Sequence, residues 1–166
     1  MVRSLSVAVV VLVLGAAFGF GPEPGRVEAD GSRCFQLIGV FDAVPVPPPE
    51  CASPVGFCTA GDLSGSLNGT YAFTMESSTP ADPRVPGINN FAGESVVTTR
   101  RGATLTGIDT GTIDLDPARF GNFVSLITFT TGTGYLEGAT GQIALRGKLN
   151  FASGMTEGNY RGQLCF

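Results

Sequence analysis

Three aspartates crowd one short stretch, GIDTGTIDLDP at residues 107–117: Asp109, Asp114 and Asp116. Carboxylates this close could hold a calcium ion, which prefers hard oxygen ligands. A pair of them could flank a glycosidic bond as acid and base. The ordinary alternative is a solvated outer strand face. The spacing lacks the order of an EF-hand loop, and Asp114 and Asp116 alternate with Ile113 and Leu115. A solvated face is therefore the expectation for the group. Other chemistry is sparse. The chain has no histidine, which removes Ser-His-Asp and Cys-His mechanisms. It also removes the commonest general base near neutral pH.

The four cysteines, Cys34, Cys51, Cys58 and Cys165, lack the C-x2-C knuckles of a zinc site. No metal is expected. The glycine-rich stretch TGTGYLEGATGQIALRGKLN, 131–150, has no Gly-Lys-Ser/Thr, and a strand pattern rather than a helix follows it. It is not a phosphate loop, and no cofactor is expected. A formal charge of −4 without a basic stripe argues against a nucleic-acid partner.

The elements that must position any site begin after a leader. Arg3 precedes an apolar run from Leu5 to Phe20, followed by helix-breaking GPEPGRVEADG. Val27 and Ala29 suit a cut before Asp30. Residues 1–29 therefore read as a signal peptide, residues 30–166 as the exported domain, and no membrane association is expected after cleavage. An even cysteine count in an oxidising compartment predicts two disulfides, for which three pairings exist.

Alternation of period two dominates the exported part. In CFQLIGVF, 34–41, Phe35, Leu37, Gly39 and Phe41 share a face. LSGSLNGTYAFTM, 63–75, alternates without a slip. A two-residue turn at Asn68-Gly69 would reverse its parity, so one long bent strand is predicted there. Asn68-Gly69-Thr70 also matches a glycosylation sequon, of little weight inside a strand. DAVPVPPPECASPVGFC, 42–58, and ESSTPADPRVPGINNF, 76–91, read as proline-rich loops. Two or three strands follow from Gly93 to Asp116, then strands over 123–130, 142–151 and 156–166.

Seven or eight strands with no long helix predict an all-β antiparallel sandwich or barrel. Glycines 65, 69, 147, 158 and 162 fall on the apolar faces of their strands. Such glycines suit the strong bending of a closed barrel, or leave room for a large neighbour or a ligand. Cys34 and Cys165 both fall on outward faces. If the first and last strands meet, Cys34 pairs with Cys165 and Cys51 with Cys58.

Inward parity also gathers Tyr71, Phe73, Phe129 and Tyr160. These either pack the core or line a barrel that binds a small apolar molecule. Inward tyrosines need hydrogen-bond partners and mark a polar spot inside.

The segment TGTGYLEGATGQIALRGKLNF resembles the G-[ST]-G-x-[FL]-E-G-x-x-G-Q-[IV] segment of plant allene oxide cyclases. It is also similar to the G-G-[ST]-G-x-F…A-x-G segment of dirigent proteins. Exported bacterial proteins of unknown role carry G-T-G-x-[FL]-x-G-A-T-G before a hairpin, and the chain looks most like that group, with its FCTAGDLSGSLNGTY and terminal GQLCF. The resemblance implies an eight-stranded antiparallel barrel in which Gly132, Gly134, Glu137, Gly138, Gly141 and Gln142 are architectural. It carries over no catalytic residue. The expected role is binding a small hydrophobic molecule outside the cytoplasm without catalysis. An isomerase or cyclase acting inside the barrel, or a solid structural barrel, are the alternatives.

Overall fold

Small residues, β-branched residues and aromatics in strict alternation build strands with one apolar face. The computed structural model describes residues 33–116, 118 and 121–166, so the expected signal peptide lies outside the described residues. Eight strands follow in chain order: β1 (Cys34–Pro45), β2 (Cys58–Gly65), β3 (Gly69–Pro80), β4 (Ile88–Thr99), β5 (Thr104–Asp114), β6 (Asn122–Gly132), β7 (Thr140–Leu149) and β8 (Thr156–Cys165). Each pairs antiparallel with the next, and β1 pairs with β8, so the sheet is a closed barrel. The seam runs from Cys34 opposite Cys165 to Ala43 opposite Thr156. Disulfides join Cys34 to Cys165 and Cys51 to Cys58. The glycine-rich stretch 131–150 is strand, turn and strand, with a short 3-10 turn at Gly134–Leu136 between β6 and β7.

Three expectations need correction. Residues 63–75 are two strands, not one. Leu63 pairs with Gly69, so the connection holds five residues between the paired positions. That spacing keeps odd residues inward on both sides, whereas a two-residue turn would flip them. Asn68 therefore sits in a turn, where its amide donates to the Gly65 carbonyl at 3.0 Å. The two proline-rich segments are shorter loops than expected. β1 runs on to Pro45 and β3 to Pro80, because proline at a strand end removes no ladder bond that matters. Finally, Phe35 and Phe166 are 53% and 47% exposed. They sit at the disulfide end of the seam and meet edge to face, 6.1 Å apart.

The two barrel ends differ. At the disulfide end, Tyr160 is fully buried and closes the interior. Its hydroxyl accepts a hydrogen bond from the Leu67 N–H at 2.8 Å. Its single proton faces the carbonyls of Leu67, 3.1 Å away, and Ser64, 3.2 Å away. The ring fits because Gly39 and Gly65 pair beside it. A Cβ on Gly39 would lie 2.4 Å from the tyrosine oxygen. Gly147 makes similar room for Phe123, whose ring would be 2.7 Å from an added Cβ. Gly39, Gly65 and Gly147 thus make space for large aromatic neighbours, whereas a Cβ at Gly69, Gly158 or Gly162 would meet the backbone of the adjoining strand. At the opposite end the loops 46–57, 81–87 and 150–155 surround the mouth.

Two outcomes test this architecture. Chain entropy predicts that the Cys34–Cys165 link, with a sequence separation of 131, stabilises by about 5 kcal/mol. The Cys51–Cys58 link, with a separation of 7, should contribute about 2.5 kcal/mol. Urea unfolding of the two double-serine variants should rank in that order, and the reverse ranking would contradict the seam's role. Tyr160→Phe leaves the Leu67 N–H without its partner and should cost about 1–3 kcal/mol in the same measurement. An unchanged free energy would show that the tyrosine oxygen does not hold the turn.

Candidate functional site

Along β5 the odd residues Leu105, Asp109 and Ile113 are buried, while Ile108 and Thr110 face out. Parity thus puts a carboxylate among the inward residues. Asp109 is only 1% exposed, which corrects the expected solvated face. Asp114 and Asp116 behave differently. β5 ends at Asp114, and Asp116 lies in the following loop. The Asp114 carboxylate accepts from the Asp116 N–H at 3.0 Å, and that of Asp116 from the Ala118 N–H at 2.9 Å. They build a turn, and the three aspartates do not form one cluster. Among the described residues no group of three or more Asp, Glu, Cys or His is placed to hold a metal ion.

Asp109 faces polar side chains from β3, β4 and β6. From β4, the Ser95 hydroxyl donates to Oδ2 at 2.9 Å. From β3, the Tyr71 hydroxyl reaches the same oxygen at 3.5 Å and lies 3.3 Å from Ser95 Oγ. From β6, Ser125 lies near enough to lower the pKa of the carboxyl. Ser95 and Tyr71 both meet Oδ2, and Oδ1 is buried without a hydrogen-bond partner. An unserved buried polar atom costs about 1–3 kcal/mol.

Burial governs the ionisation of this group. Desolvation raises the Asp109 pKa above the ordinary carboxylate value, against the lowering effect of hydrogen bonds from Ser95, Ser125 and Tyr71. Desolvation likewise raises that of Tyr71, and the charge of Asp109 adds to the rise. Burial thus disfavours the charged form of Asp109 relative to a solvated carboxylate.

Above this polar floor lies a cavity of about 40 Å³, opening toward the proline-rich end. Phe41, Phe73, Phe91, Phe123, Met75 and Ile113 supply its apolar wall. Phe73 and Phe91 meet edge to face, 5.7 Å apart. Phe41 touches Phe123 at 6.0 Å and Tyr71 at 6.3 Å. Thr59, Thr156 and the half-buried Phe57 complete the lining. Phe57 belongs to the loop 46–57. The loop is held by the Cys51–Cys58 bridge and by the Met75 N–H, which donates to the Phe57 carbonyl at 3.0 Å. Ser53 adds a hydroxyl bond to the Met75 carbonyl and receives the Phe57 N–H at 3.1 Å.

Of the four aromatic residues expected to meet a ligand, Tyr71 and Phe73 line this cavity. Phe129 is buried on β6, and Tyr160 closes the other end; neither is part of the lining. Asp109, Ser95 and Ser125 were not expected at the site. The signal was present: Asp109 has the same parity as Leu105 and Ile113.

No family model matches the chain, and no curated protein matches it. Among solved structures it is similar to the pterocarpan synthase dirigent protein GePTS1. The identity is 12%, and the match covers 90% of this chain and 98% of that one with a TM-score of 0.34. The fold defines the class: an all-β, closed, eight-stranded antiparallel barrel with two disulfides.

The raised pKa sets a pH dependence. Below the ordinary carboxylate value of 3.8, Asp109 is protonated in both the folded and unfolded chain. As pH rises from there to its elevated folded value, the unfolded chain has released a proton that the native barrel still binds. Stability therefore falls with rising pH through that window, at a slope of up to about 1.4 kcal/mol per pH unit. Asp109→Asn removes this contribution. The wild-type free energy of unfolding minus that of the variant should decline as pH rises above 4. A difference that rises with pH would mean that Asp109 is ionised and stabilised in the barrel.

Proposed function

We propose that the chain is an exported barrel that holds a small apolar molecule in the cavity at its proline-rich end, without catalysis. The observation that carries this reading is an aromatic wall over a floor with one unserved buried oxygen, Asp109 Oδ1. Ligand sites pair apolar walls with a few placed polar groups in this way. The cavity as it stands has room for little more than a water molecule or two. A ring-sized ligand thus enters when the Phe57 side chain swings off the mouth. Export is supported by the leader composition and by two disulfides, which persist in oxidising compartments. Kinship with the exported bacterial barrels that share the GTGxLxGATG pattern at 131–145 is part of the same proposal.

An isomerase or cyclase is the second reading, favoured by a carboxyl group inside the barrel, Asp109, whose pKa burial raises. A titration of isotope-labelled protein with cyclohexanone, followed by two-dimensional NMR, tests all three readings. Amide shifts should be confined to residues such as Phe57, Phe73, Asp109 and Ser125. Phe57→Ala, which widens the mouth, should tighten binding several-fold. New signals from a rearranged probe would favour the enzyme. Absence of shifts in both proteins would leave a solid structural barrel and overturn the binding proposal.

A further inference from the structure

We infer that the disulfide end of the barrel carries a second binding site, for a small anion with an apolar body, of the aryl or alkyl carboxylate class. It is separate from the cavity at the proline-rich end and independent of the reading given to that cavity.

The floor of the site is apolar. Leu37 of β1, Leu67 of the β2–β3 turn, Leu136 of the 3-10 turn and Leu164 of β8 are buried at the base of a groove of about 470 Å³. That size falls within the range of about 300–1,000 Å³ usual for small-molecule sites. Phe35, Tyr135 and Phe166 line the same groove, each about half exposed. Phe166 is held in place by Arg33, with which it exchanges backbone hydrogen bonds of 3.1 and 3.2 Å. Single exposed apolar residues are ordinary, but three rings around one recess form a contiguous patch.

The charge comes from the turn between β4 and β5. Arg100 and Arg101 stand in this turn and line the groove. Their backbone is fixed. The Thr99 N–H donates to the Ala103 carbonyl and the Gly102 N–H to the Thr99 carbonyl, each at 2.8 Å, and the Arg100 N–H donates to the Asn68 carbonyl at 3.0 Å. Both arginines are exposed, and among the described residues neither has an ion pair. Arg100 also borders an outer groove that contains Asp42 and Asp62, and it is bridged to neither. Among the described residues no Asp or Glu lines the leucine-floored groove. Arginine keeps its charge at every working pH, so the sign of the site depends on no protonation state.

These features select the ligand. A cation would meet two like charges and no acid. A neutral molecule would use the floor and leave both guanidinium groups to water. An anion with an apolar body uses the floor, the rings and the planar donors that match a carboxylate. An anionic bilayer is the macromolecular rival, since aromatic and basic residues also suit a membrane interface. A recess with a buried floor favours a molecule that enters it.

Three probes share one apolar body and differ in charge: 4-phenylbutyrate, 4-phenylbutanol and 4-phenylbutylammonium. Each is titrated into isotope-labelled protein at neutral pH and followed by two-dimensional NMR. The carboxylate should bind about tenfold more tightly than the alcohol, the size of one charge-assisted hydrogen bond. The ammonium should give no saturable shift. The moving signals should be the amides of Leu67, Arg101 and Leu136 and the Nε–H groups of the two arginines, not the amides of Phe73 and Asp109. Arg100→Gln with Arg101→Gln, in an exposed turn, should lower carboxylate affinity to that of the alcohol and leave alcohol binding unchanged. Lysine at both positions should keep part of the preference. Equal affinity for carboxylate and alcohol in the unsubstituted protein would overturn the inference, as would shifts confined to the proline-rich end. Sedimentation with phosphatidylglycerol vesicles, without any shift from phenylbutyrate, would assign this end to a membrane surface and overturn it as well.

Discussion

Ten residue pairs join the first strand to the last, from Cys34 and Cys165 to Ala43 and Thr156. Everything else in the molecule depends on that seam. An open sheet of these strands would expose two edges of unpaired backbone groups, each a template for association. Closure removes both edges and fixes the interior width. Eight strands enclose a space that side chains nearly fill. Tyr160 can occupy the disulfide end because Gly39 and Gly65 carry no side chains there, and Phe123 can lean over Gly147 for the same reason. The disulfide sits on the seam and ties together the two chain segments that are furthest apart in sequence.

The barrel is packed asymmetrically along its axis. The disulfide end is sealed by Tyr160 and by the turn that its hydroxyl holds. The proline-rich end is covered by a loop fixed through a few polar contacts and a short disulfide. Between them sits Asp109, and its energetics run against stability. Burying a carboxyl without satisfying both oxygens is costly, and the hydroxyls of Ser95 and Tyr71 compensate at Oδ2 alone. A hydrophobic residue at that position would pack into the same barrel without the cost.

Much of this was legible because the side-chain period of a strand is two. From β1 through β7 the buried strand residues fall mostly on odd numbers, for example Leu37, Tyr71, Val97, Leu105, Ile127 and Leu145. In β8 they fall on even ones, such as Tyr160 and Leu164. That pattern predicted the strands, the outward cysteines and therefore the disulfide pairing. The same pattern marked Asp109 as inward, but its nearness in sequence to Asp114 and Asp116 drew it into the wrong group. Asp114 and Asp116 turn out to shape a loop, a role that depends on where β5 stops.

The sequence by itself determined the all-β class, the alternating faces and the number of crosslinks, since these follow from local periodicity and from sulfur chemistry; which cysteines pair depended on β1 meeting β8. Only the tertiary structure decided where the turn after β2 falls, because parity survives any connection with an even residue offset between its paired ends, such as Leu63 and Gly69. It also decided that Tyr71, Ser95, Asp109 and Ser125, spread over four strands, converge on one point, while Phe129 and Tyr160 pack elsewhere. Convergence depends on the register between strands, and register is set by the closed sheet rather than by any one segment.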